Sequence, residues 1–538
     1  MTMVDIDAVR NWLGRLPGGS LVGQYVDDWD AFEKLNSPVV TLFGSYDTGK
    51  SSLLRRLLVD SGGDVPDWLT ISARHETFEV NEVAVGGCII RDTPGFAVGA
   101  SDIRARNNSR RAMAAVGLTD VGIAVLTPQL ATAERDVLQK LFTQGWPVGT
   151  MWFVISRFDE AGVDPEYDLV EYRELSDRKV RELRSLFELD DRTPVFVVSQ
   201  DPFQTAGPDT DLSRDTWDDF RGWDGMRDLA NAFEAVSPSA LPGWRQAAGQ
   251  RYWTAVLDET LTELRRQLAD YTARAEVAAS GVARRGVWES ELDTLDRAAQ
   301  ASLDGLVEEV MRRSGEPNSG ADAPQAEIQR TLDEWFTKHE VRLQRLQQSI
   351  RKTKERERAR PSWAGFASLV STLGSEKDGS TTPAGPGGAA EHVETVGTML
   401  IGMLKAANTP RPILGGKAVA AKAAGDLGRH IGIAEAALPL AVYLAKVVDE
   451  QGADRARLNQ GKAAAEQRQH VVTECTQRAR DTWRPFVDDV REAIVAETRD
   501  QVDLDAILRQ LVEQLREAVA EGEGLFQAGV VPLLKTEA

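Results

Sequence analysis

One eight-residue string constrains this chain more than anything else in it: Gly44-Ser45-Tyr46-Asp47-Thr48-Gly49-Lys50-Ser51, lying between the apolar run VVTLF at 39–43 and the amphipathic segment SLLRRLLV at 52–59. The pattern GxxxxGK[ST] at a strand-to-helix junction is a phosphate-binding loop. Its backbone amides and the N-terminus of the following helix face phosphate oxygens. Lys50 reaches the outer phosphates, and Ser51, followed by Ser52, supplies a hydroxyl for Mg²⁺. A loop of this kind needs a buried strand behind it and a helix in front, which commits the surrounding chain to layered α/β architecture.

The neighbouring sequence agrees. Short apolar, β-branched runs recur at 39–43, 78–85, 86–92, 120–128, 149–156 and 193–199, mostly separated by amphipathic stretches. Strands buried on both faces and joined by helices predict a largely parallel sheet with crossover helices. Residues 1–35 read as short helices, and the head spans 36–240. After about residue 240 no strand signal recurs. Stripes such as Val256, Leu257, Leu261, Leu264, Leu268 and Tyr271 predict long helices over 241–360 and again over 450–538. Between them, 361–449 reads as a Gly/Pro-rich flexible loop followed by an apolar tip.

The chemistry-bearing residues fall at strand ends. Asp92-Thr93-Pro94-Gly95 closes the third apolar run, where the Asp can reach Mg²⁺ through water and the Gly95 amide can touch a γ-phosphate. Thr77, just before the second run, is placed to complete the Mg²⁺ shell, with Thr70 as the other candidate. Ser156-Arg157-Phe158-Asp159 ends the fifth run. There a carboxylate can accept both the N1 and N2 protons of guanine, and the Arg157 stem and planar head can cover the base. Ser199 and Gln200, after VFVV, fall where a further loop closes over a base.

Composition narrows the partners. Among 538 residues, 63 Lys and Arg face 83 Asp and Glu, a net charge of −20, which gives no global attraction to nucleic acid. Two distant cysteines, Cys88 and Cys475, suit a reducing cytoplasm. The N-terminal segment has early acids and no uninterrupted apolar core, so no secretory leader is expected.

Taken together, GSYDTGKS, Thr77, DTPG, SRFD and VSQ resemble the motifs of GTPases of the translation-factor and septation class. The long helical half with its apolar tip resembles the bacterial dynamin-like proteins of the dynamin superfamily, near the labile-enterotoxin-output type. The resemblance implies binding and hydrolysis of GTP to GDP with Mg²⁺. It also implies homodimerisation through the heads, and a helical arm that contacts anionic lipid on the inner face of the cell membrane. A soluble GTP-switched scaffold whose arm binds a protein partner from the same gene set is the other reading. In Ras-like enzymes a Gln after the Asp-x-x-Gly orients water; Phe96 stands there in this chain. The resemblance therefore points to a K⁺ or Na⁺ held by Asp47 as the source of positive charge, making Lys50, Asp47 and Thr77 the expected catalytic set. The alternative is that Asp47 simply caps its loop. The tip divides likewise. Either the basic run 342–360 and the apolar segments after it meet a membrane surface, or they pack within the arm.

Overall fold

In the computed structural model the described residues are 3–16, 21–71, 80–95, 113–130, 135–236 apart from 144, 238–313, 323–375, 461–528 and a few positions between 439 and 446. They form two compact units, one built from the described residues within 1–264 and 517–528, the other from those within 265–375 and 439–516.

The first unit opens with two helices, α1 (Ile6–Arg15) and α2 (Leu21–Glu33). Asp5 caps α1 by accepting from the Ala8 amide, the usual way an Asx side chain satisfies a first-turn N–H. Trp12 is buried and donates its indole N–H to the Ala518 carbonyl at 3.0 Å.

A six-stranded sheet follows, made of β1 (Val39–Phe43), β2 (Asn81–Val85), β3 (Cys88–Asp92), β4 (Val121–Leu126), β5 (Met151–Ile155) and β6 (Val195–Val197). Its order is β2-β3-β1-β4-β5-β6. All pairings are parallel except β2 with β3. That pair is a hairpin turned by Gly86 and Gly87, both at positive φ, as a two-residue hairpin turn requires. Every residue of β1, β4 and β5 is buried. The period-2 geometry of a strand sorts them into two cores. Val40, Leu42, Ile123, Val125, Trp152 and Val154 join the core under the helices α3 (Lys50–Ser61) and α6 (Met226–Glu234). Phe43, Ala124, Leu126, Phe153 and Ile155 join the other, under α4 (Arg135–Phe142) and α5 (Leu169–Phe187). A doubly covered parallel sheet is the arrangement the alternating runs predict, and it aims the carboxyl ends of β1, β3, β5 and β6 at one edge, where ligands bind in such folds.

The long helices are α7 (Leu241–Arg313), α8 (Ala323–Arg358), α9 (Pro361–Ser375) and α10 (Gly461–Ala528). The core of the second unit is aromatic: Trp335 lies against Phe336, His339 and Trp483, and Trp483 stacks on Phe486. One expectation is corrected. Residues 361–375, anticipated as the start of a flexible loop, form helix α9. Pro361 takes the first helical position, where a missing N–H costs nothing, and Phe366 and Leu369 are buried. The Gly/Pro-rich stretch 376–390 and most of the tip anticipated at 393–448 lie outside the described residues.

Candidate nucleotide-binding site

β1 delivers the chain into the phosphate loop and α3 takes it out at Lys50. Gly49 sits at φ 80°, and a Cβ there would stand 2.3 Å from Gln200 Nε2, so only glycine fits. Lys50 is buried, and its ammonium is folded back on its own loop, donating to the Ser45 carbonyl at 2.7 Å and to Gly44 O at 3.4 Å. Thr48 likewise donates to Ser45 O. The loop thus holds its own cation over its mouth.

Asp92, at the end of β3, lies beside it. Ser51 Oγ donates to Asp92 Oδ2 at 2.6 Å. Burial pushes the Asp92 carboxyl up, against the pull of Ser51, Lys50 and the Thr93 amide. Its Oδ1 is buried without a hydrogen-bond partner. An orphaned carboxylate oxygen beside a serine hydroxyl is an all-oxygen donor set of the kind a hard divalent cation takes, so these residues fit Mg²⁺. Thr93 Oγ1 bonds back to Leu42 O, tying this turn to β1. Gly95 meets the loop closely; a Cβ there would lie 2.7 Å from Tyr46 N and Cα.

The facing wall is assembled from the ends of β5 and β6. Ser156 is buried and donates to Thr48 O and Leu126 O, locking the end of β5 to the phosphate loop. Arg157 adopts left-handed backbone (φ 53°) and hands over to a 3₁₀ turn, Phe158–Glu160. The Asp159 amide donates to Ser199 Oγ at 2.8 Å, and its Oδ2 accepts from the Phe203 amide at 3.0 Å. Tyr172 OH pairs with Ser199 Oγ from behind. Ser156 and Ser199 therefore hold the wall from inside rather than line it.

These parts converge on one cavity of about 500 Å³. From the phosphate loop it is lined by Tyr46, Asp47, Gly49, Lys50, Ser51 and Ser52, and from the turn after β3 by Thr93 and Gly95. Arg157, Asp159 and Gln200 line its other wall. Thr70 also reaches the cavity, whereas Thr77 and Phe96 lie outside the described residues. Asp47 is not bare. Its carboxylate meets Arg157 Nη1 at 3.2 Å.

Sequence reasoning missed the segment 201–208, from which Asp201, Gln204, Gly207 and Pro208 line the cavity. It also missed what holds that segment. Arg55 and Arg56, on α3, are both wholly buried. Arg55 donates to Gly207 O, Asp209 O and Asp201 Oδ2. Arg56 binds Asp60 and Asp224 and stacks over Trp217 at 4.4 Å. The only signal was two adjacent arginines inside the leucine-rich string SLLRRLLV, where a purely surface pair would break the apolar face.

No family model matches this sequence, and no curated protein matches it. Among solved structures, the chain is similar to LeoA, a bacterial dynamin GTPase from ETEC, at 13% identity and TM-score 0.29, covering 96% of this chain and 97% of that one. It is also similar to a member of an oligomerised bacterial dynamin pair, at 9% identity and TM-score 0.35, over 97% and 94% of the two chains. A partial likeness is to Era of Aquifex aeolicus bound to GDP and aluminium fluoride, at 21% identity and TM-score 0.23, over 30% of this chain and 51% of that one.

Proposed function

We propose that this chain is a Mg²⁺-dependent GTPase of the bacterial dynamin-like kind, hydrolysing GTP to GDP. The observation that carries the reading is the convergence, on one cavity, of the phosphate loop, the turn after β3, Arg157, Asp159 and Gln200. On this reading Lys50 exchanges the carbonyls of Gly44 and Ser45 for β- and γ-phosphate oxygens, and its present tether keeps it aimed there. Ser51 and Asp92, with Thr77, would hold Mg²⁺, whose charge supplies electrostatic relief at the phosphates when bound. Asp159 accepts from the guanine edge. Its geometry is set by the Phe203 amide on Oδ2 and by Ser199 beneath its own amide. The backbone N–H groups of the loop supply donors at the point where negative charge accumulates.

The same proposal includes pairing of two heads and an arm that contacts anionic lipid. The alternative of a soluble scaffold binding a protein partner is supported by one feature of α8. Its basic run continues a buried stripe of Leu343, Leu346 and Ile350, while Arg351, Lys352, Arg356 and Arg358 face solvent among acidic neighbours. Co-sedimentation with acidic liposomes separates the two: pelleting that weakens with salt supports lipid contact, and its absence with and without a GTP analogue supports the scaffold.

The site itself is tested by titrating a fluorescent GTP analogue. Lys50→Ala is expected to weaken binding by about a hundredfold or more, the scale of losing a charge-assisted contact in a closed loop. Unaltered affinity would move the site elsewhere.

A further inference from the structure

Arg157 is held in a way that base recognition does not require. Its backbone amide donates to Gln200 Oε1 at 2.9 Å, and its aliphatic stem lies along Gly49, where a Cβ would be 3.5 Å from Cγ and Cδ. The guanidinium then leaves the base side and reaches the phosphate loop. Nη1 donates to the Asp47 carbonyl at 3.2 Å and faces Asp47 Oδ1 at 3.2 Å. From the other side, Nε and Nη2 donate to Glu160 Oε1 at 3.0 and 2.8 Å. The side chain is 28% exposed, while Asp47 is 72% exposed. All three groups line the nucleotide cavity.

This arrangement answers a problem of charge. A carboxylate on a phosphate loop repels a polyphosphate unless a cation stands between them, and a monovalent metal ion is one solution. A guanidinium anchored at both ends is another, and it is never deprotonated. Because it is already oriented, it needs no reorganisation when the phosphates arrive. Resting on the GTPase reading above, we propose that Arg157 is the built-in counter-charge of this phosphate loop. It offsets the charge that Asp47 would otherwise set against the phosphates, in place of a bound K⁺ or Na⁺.

The test measures GTP affinity and turnover of the full chain in K⁺, Na⁺ and choline chloride at equal ionic strength. Wild-type values are expected to agree within about twofold across the three salts, since the charge is covalently present. Arg157→Gln exposes Asp47 to the phosphates, so affinity should fall about tenfold in choline and recover in part in K⁺. Adding Asp47→Asn to Arg157→Gln should restore most of the loss and remove the K⁺ effect, which a merely structural bridge between two loops would not do. Wild-type turnover that requires K⁺ overturns the inference, as does an Arg157→Gln protein with unchanged affinity and no cation dependence. Wild-type protein that binds no GTP in any of the three salts overturns the GTPase reading itself, and with it the inference.

Discussion

Both units bury charged side chains, but to different ends. In the first, buried arginines, Arg55 and Arg245 of them paired with carboxylates, also satisfy loop backbone: Arg55 donates to Gly207 O and Asp209 O, Arg251 to Thr119 O and Arg245 to Ser37 O. In the second, the buried polar groups satisfy one another across helices. Lys354 and Glu357 of α8 meet Gln501 of α10, and Glu357 also meets Ser280 and Arg284 of α7. Helix backbone is already satisfied internally, so a charge buried between helices is matched chiefly by other side chains. Irregular backbone is not, so a buried arginine with its fork of donors can hold a loop in place. The head uses buried charge to shape the site. The helical unit uses it to choose which residues face each other.

The sharpest way to break this comparison is Arg55→Met. It leaves two loop carbonyls without their donor and Asp201 without its cation, so stability of the first unit should fall by about 3–5 kcal/mol, the cost of breaking a buried pair from one side. GTP affinity should fall with it, because Asp201 and Gly207 line the cavity. Calorimetry with nucleotide titration reads both, and a stability loss with affinity unchanged would deny that Arg55 shapes the site.

Lys354→Met is the matching change in the helical unit. Burial pushes the Glu357 carboxyl up, but Lys354, Ser280 and Arg284 together outweigh it and hold it below its usual range. Without Lys354, that buried carboxylate loses one of its two paired cations and keeps Arg284. About 3 kcal/mol should be lost in thermal melts, with GTP affinity untouched. The double variant Lys354→Met/Glu357→Leu should recover much of it. Failure to recover would mean that the network stabilises through its links to Gln501 rather than through paired charge.

The smallest effect concerns His339, buried beside Trp335, with Nε2 paired to Ser302 Oγ. Burial, helped by Arg342 and Lys338, lowers its pKa from 6.5 to about 4. The unfolded chain therefore takes up a proton that the fold refuses between those values. Stability should fall as pH drops through 6.5 toward 4, by about 2 kcal/mol between pH 7 and pH 5. His339→Gln should remove that part of the slope. No such pH-dependent increment is expected from Arg55, which stays charged throughout this range.

Much of the head was legible because its signals are local. A strand buried on both faces announces itself within five residues, and the phosphate loop is contiguous, so the sequence alone singles out Lys50, Ser51, Arg157 and Asp159, which line one cavity, and Asp92 beside Ser51. The cavity's far wall was not. Asp201 is recruited by Arg55 across 146 positions, and Phe203 and Gln204 adopt left-handed backbone that no residue-type preference announces. Pro361 read as a break because a proline stops a helix from inside but starts one from its first position, and here it starts α9.

The division has a physical reason. By itself the sequence determined periodicity, turn chemistry and the spacing of one loop, since these depend on neighbours within a few bonds. It therefore settled the α/β head and the helical remainder, and marked where a phosphate site is proposed. Only the tertiary structure decided which charges are buried and what they hold, because the desolvation of Arg55, Arg56, Lys354 and Glu357 depends on partners distant in sequence. That is also why Asp47, which alone suggests a metal ion, is found beside Arg157.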